Sequence, residues 1–374
     1  MTTTSSIAAQ LKGFTIPASM RAAVYRGIND VRVESVPVPA IGKGEVLIRV
    51  ANCGICGTDL KKIHTGSHTA PRIFGHETSG TVVAIGEGVT KFVPGDRVMV
   101  FHHIPCGHCY YCSKSVYAQC PVYKKVGVTA GFEPAGGGFA EYVRVMDWIV
   151  ERGGLVKIPD GVPFDQAAFV EPVNTCLKGV KLLNLESDET VLVIGQGPIG
   201  ILLATLAMRS DARIFTSDLF VERHEVAAQF GLANPIHAGS EDPVARLKEA
   251  TDGRGADAVL LAVGGNSLIR TALNAVRPGG KVMLFAQTQH GETTIDPGAI
   301  CLDEKTLMGS YSSSVDVQDE GLEIVFDGYR NGYDLTRLIS HCFPLEQAVE
   351  AIRLASNPQP NSMKIMIETE GASE

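Results

Sequence analysis

The sequence has no uninterrupted apolar run long enough to cross a membrane. Its most apolar stretch, residues 191–208, is broken by three glycines and a proline. It also lacks an excess of basic residues, because 33 lysines and arginines face 41 aspartates and glutamates, giving a net charge of −8. A protein without a basic surface is not expected to bind a phosphate backbone, so nucleic acid is not an expected partner. Small molecules are the expected ligands.

Signals for export are missing as well. The first ten residues have neither a basic start nor a continuous apolar core, so they do not predict a signal peptide. We interpret residues 1–19 as an N-terminal arm. The nine cysteines are odd in number, and four of them cluster at metal-ligand spacing instead of forming a disulfide framework. This pattern predicts a reducing compartment, the cytoplasm.

A length of 374 residues, with 45% apolar residues, predicts two domains. Residues 20–100 show short runs of β-branched residues broken by Gly and Pro, which predicts a β-rich module. From residue 190, buried-strand and helix signals alternate, which is typical of a parallel sheet covered on both faces. We therefore predict an α/β protein, with a catalytic domain at residues 20–173 and 310–374 and an inserted, doubly wound sheet domain at 174–309.

A glycine-rich loop follows the first predicted strand of the inserted domain. The sequence Gly195-Gln-Gly197-Pro198-Ile199-Gly200 also opens a helix, and this context is typical of a dinucleotide site. Gly195 allows a tight turn, Gly197 lets the backbone approach a pyrophosphate, and Gly200 lets helix and strand pack closely. Pro198 and Ile199 complete the predicted loop.

The next predicted strand ends at Asp218, 18 residues after Gly200. A carboxylate there can accept hydrogen bonds from both hydroxyls of the adenosine ribose and repels a 2′-phosphate, so NAD is favoured over NADP. The alternative is a surface aspartate on a sheet that binds nothing. Arg223 can reach the adenine side or lie in solvent. Val263 can line the nicotinamide half or belong to an ordinary strand-to-helix turn.

Four cysteines within fifteen residues form a second motif: Cys106, Cys109, Cys112 and Cys120. Four thiolates suffice for a closed tetrahedral zinc site, which leaves no position for substrate. Such a metal would stabilise a lobe with few apolar residues. Iron–sulfur ligation is the competing interpretation.

Candidates for a second, open metal site are spread along the chain. Cys56 precedes Thr58, a hydroxyl that can carry a proton, and His76-Glu77 follows twenty residues later. Alternatively, Cys53 and Cys56 are a redox pair or two buried thiols. Glu171 lies in an otherwise apolar helical stretch, where a carboxylate needs a metal or an arginine as its partner.

Together these motifs resemble the zinc-dependent medium-chain dehydrogenase/reductase family over about residues 20–370. The resemblance is carried by Cys56 with Thr58-Asp59, Gly75-His76-Glu77, the four-cysteine lobe, Gly138 to Tyr142, Glu171-Pro172 and the glycine-rich loop. The Glu171-Pro172 pair is similar to the sorbitol and threonine dehydrogenase branch. One departure is Lys61, which stands where many relatives carry a histidine.

The resemblance implies a GroES-like catalytic domain, a Rossmann domain and two zinc ions per subunit, one catalytic and one structural. It implies catalytic zinc on Cys56 and His76, with Glu77 as a direct ligand and Glu171 bound directly or through water. Thr58 would be the first proton carrier. The implied reaction is NAD-dependent oxidation of a secondary alcohol in a polyol or cyclitol by a homo-oligomer, either a tetramer or a dimer. An L-threonine-type amino-alcohol dehydrogenase and a catalytically silent zinc and dinucleotide binding protein are the alternatives.

Overall fold

Two units of different architecture make up the chain in the computed structural model, which describes residues 14–123, 128–132, 136–286 and 291–369. The first unit holds the described residues up to 170, with 342–356 and 365–369, and the second holds 171–341 and 357–364. This division differs from the predicted boundaries at residues 171–173, 310–341 and 357–364, which group with the second unit. The grouping follows from contacts such as the ion pair between Lys181 and Glu320.

Strands and α-helices follow one another along the described part of the chain. The strands are β1 Ser19–Gly27, β2 Asp30–Pro37, β3 Val46–Gly54, β4 Arg72–Ile73, β5 Glu77–Ile85, β6 Arg97–Val100, β7 Val128–Thr129, β8 Tyr142–Val145, β9 Leu155–Lys157, β10 Thr190–Ile194, β11 Arg213–Asp218, β12 Pro235–His237, β13 Ala256–Leu261, β14 Val276–Leu284, β15 Thr306–Gly309, β16 Ile339–Pro344 and β17 Lys364–Glu368. The helices are α1 Gly57–Thr65, α2 Tyr110–Ser113, α3 Asp147–Glu151, α4 Phe164–Ala168, α5 Val170–Leu183, α6 Pro198–Met208, α7 Glu222–Ala228, α8 Pro243–Glu249, α9 Asn266–Ala275, α10 Pro297–Cys301, α11 Gln318–Arg330 and α12 Ala348–Ser356.

The first unit is built on antiparallel pairing. Its larger sheet has the order β16-β17-β3-β5-β6-β9, with β8 and β7 attached through β3, and a smaller sheet has the order β2-β1-β4. The side chains of β3 are buried on both faces, so it is the centre of the larger sheet. Phe14 and Ile16 pack against Leu47 and Val83, so the end of the predicted arm belongs to this unit, whereas residues 1–13 lie outside the described residues.

The second unit is a six-stranded parallel sheet with the order β12-β11-β10-β13-β14-β15. The order reverses between β10 and β13, and ligands of such sheets bind beyond the carboxyl ends of the strands at that point. The strands carry buried aliphatic residues such as Leu192, Val259 and Val282, as expected for a sheet covered on both faces. Among the described residues, no helix has the length and apolar character needed to span a membrane.

Two leucines of the second unit allow a matched test of this core. Leu192 in β10 is fully buried, whereas Leu182 near the end of α5 is 50% exposed. We expect Leu192→Ala to lower the free energy of unfolding by about 2–5 kcal/mol, since it leaves a cavity. Leu182→Ala should change it by less than about 1 kcal/mol. Chemical denaturation followed by circular dichroism would measure both, and equal effects would contradict the assigned core.

Candidate metal and dinucleotide sites

Cys56 begins helix α1, because it is the N-cap residue of that helix. Its Sγ accepts a hydrogen bond from the Thr58 N–H at 3.5 Å, and its own N–H donates to Asp59 Oδ2 at 3.2 Å. This reciprocal pair is a capping box with a thiol in place of the usual hydroxyl. The cap fixes Cys56 and Thr58 beside each other at the helix N-terminus.

Asp59 joins this helix to the turn that carries His76. Its Oδ1 accepts a hydrogen bond from His76 Nδ1 at 3.1 Å and lies 3.4 Å from the Gly75 N–H. Burial opposes ionisation, but the charge and hydrogen bond of His76 lower the pKa of Asp59 to about 2. With Nδ1 held by a carboxylate, Nε2 of His76 is the nitrogen available to a metal.

Cys56, His76 and Glu77 bring three ligand atoms within 4.8 Å of one another. His76 and Glu77 are buried, and Cys56 is partly exposed. Burial acts to lower the pKa of His76, yet Asp59 and Cys56 raise it well above its usual value, so this pocket favours positive charge. Thiolate, imidazole and carboxylate are zinc ligands, and three protein ligands leave a fourth position open. The residues therefore fit a catalytic zinc.

Cys53 does not join this group. It is completely buried, its Sγ lies 3.4 Å from Thr78 Oγ1, and burial raises the pKa of its thiol. The structure thus places it in the core, and the redox pair with Cys56 has no support.

His102 is a neighbour of the site, although its position at a strand end does not mark it as a metal ligand in the sequence. Its ring centroid lies 5.6 Å from that of His76, and its buried Nδ1 has no hydrogen-bond partner among the described residues. Burial and the nearby His76 lower the pKa of His102 well below its usual value, which keeps it neutral. The signal for it was the His102-His103 pair directly after β6, before the cysteine lobe.

Glu171 lies in the second unit, in the first turn of α5. The hydroxyl of Thr175, one turn further along the helix, donates to Glu171 Oε1 at 3.2 Å. Cys176 is buried with its Sγ near the Ile199 carbonyl, so it is a core residue as its position on the helix suggests.

The four-cysteine lobe closes as its spacing predicts. The Sγ atoms of Cys106, Cys109, Cys112 and Cys120 all lie within 4.8 Å of one another, and the four thiols are free. Cys112 Sγ lies 3.5 Å from Cys109 Sγ and 3.9 Å from Cys106 Sγ. A tetrahedron with zinc–sulfur bonds of about 2.3 Å has edges of about 3.8 Å. The lobe therefore fits a closed, tetrahedral site made of four thiolates.

The glycine-rich loop lies between β10 and α6. Gly195 has φ +101°, which an L side chain rarely adopts, and a Cβ at residue 200 would collide with the Gly195 carbonyl. Gly197 caps α6, and a Cβ there would meet nothing within 4 Å, so the face of the loop is open to a ligand. Pro198 and Ile199 begin α6; Pro198 has no N–H, and the N–H groups that follow it in the first turn suit a pyrophosphate.

Asp218 ends β11 and is already surrounded by donors. Its Oδ2 accepts hydrogen bonds from the Gln196 N–H at 2.6 Å and from Arg223 Nη1 at 3.3 Å, and its Oδ1 accepts one from the Phe220 N–H at 2.9 Å. A carboxylate offers about four acceptor positions, so this arrangement leaves about one free. One free position differs from the expectation that both ribose hydroxyls donate to Asp218. Of the two predicted positions for Arg223, the solvent position is not the one observed, because its guanidinium lies beside the Asp218 carboxylate.

Val263 follows β13 and lies next to the glycine-rich loop. A Cβ on Gly195 would stand 3.2 Å from the side chain of Val263, which is itself 42% exposed. The exposed residue thus lies at the carboxyl edge of the sheet, beside the loop predicted to hold the pyrophosphate.

Comparison with known proteins agrees with both halves of this geometry. Residues 42–160 match the alcohol dehydrogenase GroES-like domain, and residues 198–326 match the zinc-binding dehydrogenase domain. A sorbitol dehydrogenase of Bacillus subtilis is 29% identical over 94% of this chain and 98% of its own length. An L-threonine 3-dehydrogenase of Pyrococcus horikoshii is 37% identical over 70% of this chain and 73% of its own.

Among solved structures, an alcohol dehydrogenase from Thermus sp. ATN1 superposes with a TM-score of 0.81 at 31% identity, covering 94% of this chain and all of that one. The predicted fold class, a GroES-like domain joined to a Rossmann domain, is thereby confirmed. The chain belongs to the zinc-dependent medium-chain dehydrogenase/reductase family, in the branch similar to sorbitol and threonine dehydrogenases.

Proposed function

We propose that the protein is an NAD-dependent zinc enzyme that oxidises a secondary alcohol of a polyol or cyclitol to a ketone. The observation that carries this proposal is the three-ligand group of Cys56, His76 and Glu77 beside the Thr58 position, in a chain that also has an open dinucleotide loop. A catalytically silent binding protein has no need of a metal site with an open position. The intact site therefore favours an enzyme over that lesser alternative.

Each functional residue of the first unit has its own proposed role in the reaction. Zinc at Cys56, His76 and Glu77 would act as the Lewis acid for the alcohol, and NAD would accept the hydride. Asp59 holds the His76 ring in the orientation that leaves Nε2 for the metal. Thr58, whose N–H is held by Cys56 Sγ, takes the hydroxyl proton as the first carrier.

The path beyond Thr58 is unusual for the family, since Lys61 replaces the expected histidine. His64, three residues further along, does not compensate in this arrangement. Its Nδ1 lies 2.5 Å from Asn29 Oδ1 and its Nε2 lies 2.9 Å from Ser356 Oγ, so both ring nitrogens are engaged. We therefore propose that Thr58 passes the proton to the cofactor ribose or to solvent.

The second unit supports the choice of cofactor. Asp218 holds a negative charge where the adenosine ribose would lie, and a 2′-phosphate would be repelled there. Glu171 is the ligand, direct or through water, that the family resemblance adds to the catalytic zinc. With the four-cysteine lobe, this gives two zinc ions per subunit. Among the described strands, β15 lies at an edge of the parallel sheet, which is consistent with a homo-oligomer, and nine free cysteines are consistent with the cytoplasm.

Two related substrate classes remain in this proposal, a polyol or cyclitol first and an L-threonine-type amino alcohol second. Both offer a second heteroatom beside the reacting hydroxyl. Relatives named for sorbitol are 29% and 30% identical to this chain, and relatives named for threonine are 30% identical and, over 70% of the chain, 37% identical. We expect NADH formation to be fastest with a polyol or cyclitol in a spectrophotometric screen that includes amino alcohols and sugar phosphates. Fastest turnover of threonine would establish the alternative, and no turnover of any alcohol would contradict the proposal.

Removing the metal ligands tests the mechanism directly. We expect Cys56→Ala and His76→Ala each to lower turnover below about 1% of wild type, because the zinc chemistry is lost. Zinc analysis should show one equivalent fewer per chain, and the dissociation constant of NAD should stay within about threefold. Cys53→Ala is the matched control, since this buried thiol lies outside the ligand group and its loss should leave zinc content and turnover intact. Substantial activity in both ligand variants would defeat the zinc mechanism.

Cofactor choice is predicted to depend on the Asp218 charge. Asp218→Ser removes the carboxylate and leaves Arg223 with the N–H groups of Gln196 and Phe220 as donors for a phosphate. We expect the ratio of kcat/KM for NADP to that for NAD to rise about 10–100-fold, since one charge-assisted hydrogen bond is worth that much. Glu222→Ser, an exposed acid nearby, is the control and should leave the ratio unchanged. An unchanged ratio in Asp218→Ser would contradict the assigned role.

A further inference from the structure

Helix α5 presents four polar residues along one face, which we call the α5 stripe: Glu171, Asn174, Thr175 and Lys178. Their spacing of three and four residues places them on the same side of the helix. At one end of the stripe, Thr175 hydrogen-bonds Glu171. Further along, the stripe holds the backbone that follows β15, residues 311–314.

Two residues of the stripe contact that backbone directly. Lys178 Nζ donates to the carbonyl oxygens of Tyr311 at 2.8 Å and Ser312 at 3.3 Å. Asn174, which is fully buried, donates from Nδ2 to the Ser314 carbonyl at 3.0 Å and accepts from the Ser314 N–H at 2.8 Å. Hydrogen bonds from two side chains of one helix therefore hold the backbone of a single loop.

The place of this loop in the sheet indicates what it faces. All six strands of the second unit run parallel, so the loop after β15 emerges at the same edge as the glycine-rich loop and Asp218. Asp218 lies on the β11 side of the reversal between β10 and β13, whereas residues 311–314 follow a strand on the other side. A dinucleotide with its adenosine at Asp218 and its pyrophosphate at the glycine-rich loop extends toward β13, β14 and β15.

Three details indicate that the loop is prepared for a ligand. Ser310, at its start, is buried, and its Oγ has no hydrogen-bond partner among the described residues. Ser312 has φ +60°, an uncommon backbone conformation for a residue other than glycine. Lys178 is half-buried, and burial lowers the pKa of its ammonium group, yet its contacts are with neutral carbonyl oxygens. The loop is thus held in an unusual conformation by a partly desolvated cation.

We propose that Asn174 and Lys178 are positioning residues, which hold residues 310–314 in the conformation that receives the nicotinamide half of the dinucleotide. Neither residue needs to touch the cofactor, since each acts through the loop backbone. The same helix carries Glu171, so one rigid element orients both the nicotinamide-binding loop and a proposed zinc ligand. This inference rests on the proposed NAD-dependent function.

The test compares two ligands that differ only at the nicotinamide end. NAD and ADP-ribose share the adenosine, the pyrophosphate and the second ribose, and only NAD carries the nicotinamide. We expect Lys178→Met to weaken NAD binding about tenfold and ADP-ribose binding by less than about twofold in calorimetric titrations of the full-length zinc-loaded enzyme. Lys178→Arg, which keeps a cation, should recover part of the lost NAD affinity. Asn174→Asp, which loses the donor to Ser314, should show the same selective loss.

Lys181 provides the matched control, since it lies on the same helix and forms its ion pair with Glu320 of α11, not with the backbone of residues 310–314. Lys181→Met should leave both affinities unchanged. Equal weakening of NAD and ADP-ribose in Lys178→Met, or no weakening of either, would overturn the positioning role. If the wild-type protein binds neither ligand, the proposed function itself fails and this inference falls with it. If the wild type binds both ligands but the Lys178 and Asn174 variants do not lose NAD affinity selectively over ADP-ribose affinity, this inference alone is overturned.

Discussion

One buried carboxylate connects the parts of the candidate catalytic site. Asp59 accepts hydrogen bonds from the Cys56 N–H at the start of α1 and from the His76 ring in the turn before β5. These two segments are about twenty residues apart in the sequence, and a buried carboxylate is stable only while its donors are in place. The metal-ligand group of Cys56, His76 and Glu77 therefore depends on the same contacts that make the burial of Asp59 tolerable.

In the second unit, the topology of the parallel sheet brings together groups that are separated in the sequence. Parallel strands bring their carboxyl ends to one edge, so a glycine-rich loop, a carboxylate and the loop after β15 meet there although they are separated by many residues. Helix α5 adds side chains to this edge through the α5 stripe. The chemical groups of the site thus come from positions that the sheet topology selects.

Much of this could be predicted from the sequence where local patterns were strong. Strand β10 and helix α6 lie directly before and after the glycine-rich loop, as predicted, because a buried strand, a glycine loop and an apolar helix give distinct signals. Helix α1 has no comparable signal in the sequence, since its start carries Gly57, Thr58 and Asp59 instead of an apolar period. Its stability comes from the cap at Cys56 and from Asp59, which are tertiary as well as local contacts. The short strands β12 and β15 cannot be recognised from the sequence, because three or four residues carry too little periodicity.

The role of a single residue is harder to predict from the sequence than its presence in a motif. Asp218 was found from its spacing after the glycine-rich loop, but spacing does not show that Gln196, Phe220 and Arg223 already occupy most of its acceptor positions. Two of those donors are backbone N–H groups whose directions depend on the fold. Asp59 and Asp218 are therefore alike: each is a carboxylate whose negative charge is stabilised by hydrogen bonds from other residues of its unit. A motif identifies such a carboxylate, and the surrounding donors determine how much of its charge is left for a ligand.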